Sequence, residues 1–131
     1  MSSFEELVRS LGYDCVGEAA AEGLTVLKVS KDGLSFIALV FSDEECHPRF
    51  LRLMFVLDTL RTEDLLSHYE TLLELNRECW MGAYAVDVAS AAVLYVYNFP
   101  LEQFDAEALA AAVENFHLAR TLYEDAAEAH E

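Results

Sequence analysis

The residues best suited to chemistry in this 131-residue chain are Glu44, Glu45, Cys46 and His47, four consecutive side chains that can each ligate a metal. A zinc site needs a second ligand pair at matched spacing, such as Cys-x2-Cys or His-x3-His. None follows, and His68, His117 and His130 stand isolated. Cys46 and His47 are also the candidate nucleophile and base. Chain neighbours, however, seldom present their side chains to one another, and a nucleophile needs its base within hydrogen-bond reach. Cys79, beside Trp80 at a helix end, reads as core. There is no Gly-x-Ser-x-Gly and no phosphate-cradling loop; the glycines at 12, 17, 23, 33 and 82 fit turns and stops. With 24 Asp and Glu, paired carboxylates arise by chance and read as a solvated face. No catalytic, cofactor-binding or metal residue is expected, and the stretch around Cys46 reads as a solvated acidic loop.

Residues suited to holding another chain are more prominent. Tyr95, Tyr97 and Phe99 alternate along one face of a strand, with Leu94 and Val96 on the other. Such aromatics either pack under a helix or form the core of an interface. Asn76 falls on the apolar stripe of a helix, where a buried amide needs partners, and a structural hydrogen bond to the neighbouring backbone is expected.

The elements that position these residues follow from spacing. Ser3-Phe4-Glu5-Glu6 fits a capping box, and Phe4, Leu7, Val8 and Leu11 share one helical face that Gly12 ends. Residues 13–23 are ambiguous, with Ala19-Ala20-Ala21-Glu22 resembling a helical turn. Strands are predicted over Leu24–Ser30 and Leu34–Ser42, joined by the hairpin signal Asp32-Gly33, and over Phe50–Asp58. Thr62 caps a second helix, reaching about Trp80, with Leu65, Leu66, Tyr69, Leu72, Leu73 and Asn76 as its stripe. Gly82 ends it. Strands over Ala83–Val88 and Ala91–Asn98 follow, Pro100 closes the sheet region, and Asp105 caps a long last helix that carries a second apolar ridge of Leu118 and Leu122. The expected fold is α+β: one domain over residues 1–131 in the order α-β-β-β-α-β-β-α. Its five-stranded, mainly antiparallel sheet has the helices packed on one face.

The strands are apolar on both sides. Phe36, Ala38 and Val40 oppose Ile37, Leu39 and Phe41, and Leu51, Leu53, Phe55 and Leu57 oppose Phe50, Met54 and Val56. A sheet apolar on both faces must be covered on both. The helices cover one face, so a second subunit or an extended client peptide is expected on the other. The candidate interface residues are Leu51, Leu53 and Phe55 on the third strand and Leu94, Tyr95, Val96 and Tyr97 on the last.

Charge narrows the partners. The net charge is −16, yet 54 % of the residues are hydrophobic, so the chain should fold. Residues 1–60 carry five basic and ten acidic side chains, and residues 61–131 carry three and fourteen. Eight scattered bases form no patch for nucleic acid or an acidic membrane surface. No run of about 18 apolar residues spans a bilayer. The acidic start lacks the basic region and apolar core of a secretory signal, and three cysteines make no disulfide framework, so a cytoplasmic location is expected.

The element order, the small acidic chain and Leu72-Leu73-Glu74-Leu75-Asn76 together resemble the type III secretion chaperone fold, shared by the CesT/Tir chaperones and the YbjN-like proteins. In both, a Leu-Leu-x-x-Asn-like helix end leads into a two-stranded segment, a proline-containing turn and a last amphipathic helix. Here these are Asn76 to Val88, Val93 to Phe99, Pro100-Leu101, and Asp105 to Tyr123. Gly82-Ala83-Tyr84-Ala85-Val86-Asp87 is similar to the YbjN-like fourth strand, and the absence of a glycine-rich link in residues 47–62 leans the same way. The resemblance covers nearly the whole chain. It implies a cytoplasmic homodimer that uses no ATP or cofactor and binds an extended N-terminal effector segment through apolar grooves and added strands. The YbjN-like branch implies instead a regulatory domain, whose dimer would be closed and hold no client. An enzyme or metal protein using Cys46 and His47 is the remaining alternative.

Overall fold

A computed structural model describes residues 3–21, 23–42, 49–61, 63, 65–77 and 82–129. The elements run α1 (Ser3–Ser10), β1 (Asp14–Ala21), β2 (Leu24–Lys31), β3 (Leu34–Phe41), β4 (Phe50–Thr59), α2 (Leu65–Asn76), β5 (Gly82–Asp87), β6 (Ala92–Pro100) and α3 (Ala106–Ala129). The fold is α+β, as expected, but the sheet has six strands rather than five, in the order β1-β2-β3-β4-β6-β5. The added strand is β1, which occupies the ambiguous stretch after Gly12. It pairs antiparallel with β2, from Asp14 opposite Ser30 to Ala21 opposite Leu24, with a bulge between Ala19 and Ala21. The chain packs into two compact units, residues 1–54 with 98–111, and residues 55–97 with 112–131.

In the first unit, the β2–β3 turn is set by its sequence. Asp32 (φ 51°) and Gly33 (φ 85°) both take left-handed backbone, which a two-residue hairpin turn needs. One face of β1–β4 is the core: Cys15, Leu27, Val29, Phe36, Ala38, Val40, Leu51 and Leu53 are buried. Helix α1 supplies Phe4 and Val8 to that core, and Phe4 meets Phe104 edge to face. The helix lies close over β1: a Cβ on Gly17 would sit 3.1 Å from Glu5 Oε1 and 2.6 Å from Leu27 Cδ2. Pro100 ends β6 at φ −60°, ψ 130°, and the next residue, Leu101, donates its N–H to the Arg49 carbonyl.

In the second unit, α3 packs on β4, β5 and β6. The Phe116 ring stacks on Phe55 with centroids 4.4 Å apart, and the Tyr84 hydroxyl donates to the Ala119 carbonyl at 2.7 Å. Asn76 sits at the last position of α2 and clamps β5. Its Nδ2 donates to the Tyr84 carbonyl (3.1 Å), and its Oδ1 accepts from the Tyr84 N–H (2.7 Å). Both backbone groups of an edge-strand residue are thereby satisfied. The helix ends there rather than near Trp80; residues 78–81, which include Cys79 and Trp80, and the Thr62 cap lie outside the described residues. Gly82 opens β5 instead of stopping the helix, and it leaves room for the Tyr95 ring, which a Cβ would approach to 2.5 Å.

Tyr123 on α3 donates its hydroxyl to Asp58 Oδ2 at 3.0 Å. Burial, then this hydrogen bond and the Asp58 charge, push Tyr123 from 10.0 up to about 12. The neutral phenol is favoured in the fold, so its stabilisation is complete below pH 10 and is lost as pH rises from 10 to about 12. The share at stake is on the order of 2 kcal/mol. Urea unfolding between pH 9 and 12 should show this alkaline decline, and Tyr123→Phe should flatten it. An unchanged slope in the variant would assign the decline elsewhere, for example to Tyr97, which burial also raises.

Candidate functional site

The face of β1–β4 opposite the core is built by period-2 alternation and antiparallel register. Three cross-strand rows lie on it. Val16, Lys28, Ile37 and Met54 form the first, Glu18, Val26, Leu39 and Arg52 the second, and Leu24, Phe41 and Phe50 the third. None of these eleven side chains is buried. Val16 is 70 % exposed at the outer strand, and Ile37, Leu39, Phe41, Phe50 and Met54 are half-buried. Phe41 and Phe50 stack with centroids 4.2 Å apart, which gives the face a flat aromatic floor at one end. Arg52 lies across this floor, its guanidinium 5.8 Å from the Phe50 ring centroid and its Nε donating to Asn98 Oδ1 at 2.8 Å.

Of the seven residues expected at an interface, Leu51, Leu53, Phe55, Tyr95 and Tyr97 are buried within the chain itself and face its own core. Leu94 and Val96 lie on the opposite face of β6, half-buried beside Ala85 and Ala83 of β5. The alternation is therefore as read, and the face of β3 and β4 opposite the core carries Ile37, Leu39, Phe50 and Met54, all half-buried. Of the residues expected to be structural, Asn76 and Gly82 hold the α2–β5 and β5–β6 contacts given above, and Pro100 ends β6.

A second apolar surface belongs to α2. The predicted stripe divides: Leu72 is buried, whereas Leu66 and Leu73 are 71 % and 67 % exposed, with Tyr69 between them also exposed. His68 and Thr71 take the buried positions instead. The mean apolar signal of this helix extends around it, so spacing alone does not tell its covered side from its open side.

The chemistry-bearing loop, with Glu44, Glu45, Cys46 and His47, lies outside the described residues. Among the described residues, no three of His, Cys, Asp and Glu gather into a metal-holding group. Burial, then the Glu5 charge, push the Cys15 thiol up, against a lowering by Arg9, so it is a poor nucleophile at neutral pH. Among the described residues, no helix is long and apolar enough to cross a membrane.

What the arrangement can do is hold apolar chain. It offers a half-buried apolar sheet face, with β1 at the sheet edge among the described residues, and an exposed helical stripe. None of the curated proteins compared matches the chain significantly. Residues 1–129, however, match the CesT_Tir_1 family model, which is the CesT/Tir side of the resemblance. That match spans nearly the whole chain, and the chain therefore belongs to the CesT_Tir_1 family, a type III secretion chaperone family.

Proposed function

We propose that this protein is a non-enzymatic, cytoplasmic chaperone that dimerises and holds an extended client segment on the open face of β2–β4. The observation that carries the reading is that face itself. Ile37, Leu39, Phe41, Phe50 and Met54 form a contiguous apolar patch on the face of β3 and β4 opposite the core, and each stays half-buried rather than buried. Contiguous exposed apolar surface marks a partner site, and an extended segment is the shape that fits flat cross-strand rows. The edge of β1 can add a client strand by main-chain hydrogen bonds. Family membership supports effector binding and self-association, and the match over 1–129 supports one domain across the chain. The exposed stripe of α2 is the seat assigned to the second copy.

The test is binding of fluorescent apolar peptides of about 12 residues to the purified protein, followed by anisotropy. The wild type should bind, and Leu39→Asp at the centre of the face should lose at least about tenfold in affinity while remaining folded by circular dichroism. No binding by the wild type, with no uptake of a hydrophobic dye, would replace this reading with the regulatory domain whose dimer is closed. Unimpaired binding by Leu39→Asp would move the client off this face.

A further inference from the structure

The chain carries 24 acidic and eight basic side chains, so bulk charge alone selects a basic partner. The open sheet face reverses that sign. Across its three rows stand two cations, Lys28 and Arg52, and one acid, Glu18, on the outermost strand. Arg52 is fixed from two sides: Nε is engaged by Asn98, and the guanidinium lies along the Phe50 ring. That leaves its two Nη groups, among the described residues, directed to no partner. A guanidinium held in place and half-removed from water is set up to take a carboxylate. Lys28 is exposed between Val16 and Ile37 in the first row and makes no ion pair among the described residues.

Resting on the client-binding reading above, we infer that the segment held on this face is apolar and acidic, with carboxylates that meet Lys28 and Arg52. The register supplies the spacing. The two cations stand on strands two apart in the sheet and two residues out of register. Strand separation and rise then place their Cα atoms about 12 Å apart. An extended segment covers that span in about four residues, and positions i and i+4 point to the same side. The expected client therefore carries Asp or Glu about four residues apart, with an apolar residue midway that lies between Ile37 and Leu39. A polyanionic segment is not the fit, because the −16 of the whole chain repels it at longer range.

Three peptides of equal apolar content test this on the full-length protein, carrying at i and i+4 either two Glu, two Gln or two Lys. The Glu pair should bind the wild type about ten- to a hundredfold more tightly than the Gln pair. The preference should vanish in Lys28→Gln/Arg52→Gln and pass to the Lys peptide in Lys28→Glu/Arg52→Glu. Equal affinities on the wild type, or a preference for Lys, overturn this inference and leave the chaperone reading standing. Binding of none of the three overturns both. A change in self-association in Lys28→Glu/Arg52→Glu would mean that a second copy occupies the face, and would also overturn it.

Discussion

Phe55→Ala should lower the unfolding free energy by about 3–5 kcal/mol, measured by urea denaturation followed by circular dichroism. The ring is fully buried in β4, and Phe116 of α3 stacks on it at 4.4 Å with the planes 14° apart. Removing it deletes the transfer free energy of a large aromatic side chain. It also leaves a cavity walled by Phe116, and α3, anchored by the Tyr84–Ala119 and Tyr123–Asp58 hydrogen bonds, cannot collapse freely into it. Domains of this size are stable by about 5–15 kcal/mol, so the loss takes about a fifth of the total or more. A cost below about 1 kcal/mol would show that this ring pair does not form the core contact described. The same substitution separates two roles. Phe55 acts on client binding only by unfolding the protein, whereas Leu39→Asp acts on binding without unfolding it.

Phe55 also shows where the sequence was legible and where it was not. Alternation in β3 and β4 revealed that both sheet faces are apolar, and the Asp32-Gly33 signal placed the hairpin between β2 and β3. Which face the helices take is not encoded in that alternation. Leu51, Leu53 and Phe55 are no more apolar than Phe50, Met54 and Ile37, and both sets repeat every second residue. The sign was readable only in the interruptions: Lys28 and Arg52 fall in the rows with Ile37 and Leu39, and a cation costs less on an open face than in a core. Strand β1 was missed because Gly17 and Ala19-Ala20-Ala21 are poor strand formers, and its place in the sheet rests on pairing with β2. The trace it leaves is the alternation of Cys15 and Gly17 with Val16 and Glu18. Gly82 read as a helix stop because its real constraint, the Tyr95 ring beside it, comes from a strand ten or more positions on. On α2, one stripe from Leu65 to Asn76 proved to be two sides of the helix. Tertiary packing buries His68 and Thr71 and leaves Leu66 and Leu73 open.

That open side of α2 carries the second large effect. Leu66→Glu with Leu73→Glu should convert a dimer to a monomer that remains folded, its melting temperature lowered only by the lost stabilisation from association. Leu66, Tyr69 and Leu73 stand three and four residues apart, so they form one stripe, and all three are exposed in the single chain. A two-fold contact counts each residue twice. Burying four leucines contributes roughly 6–12 kcal/mol before the cost of association, and the double substitution removes that and sets carboxylates against each other across the axis. Neither leucine packs in the core, so the intrinsic stability of the monomer should move by less than about 0.5 kcal/mol. Sedimentation velocity from about 1 to about 100 μM distinguishes the states. Salt supplies an independent check. Two copies of net charge −16 repel, so a dimer held by apolar contact should tighten as ionic strength rises, the reverse of a dimer held by ion pairs. A wild type that stays monomeric at the highest concentration, or a double variant that stays dimeric, would remove α2 as the seat of self-association.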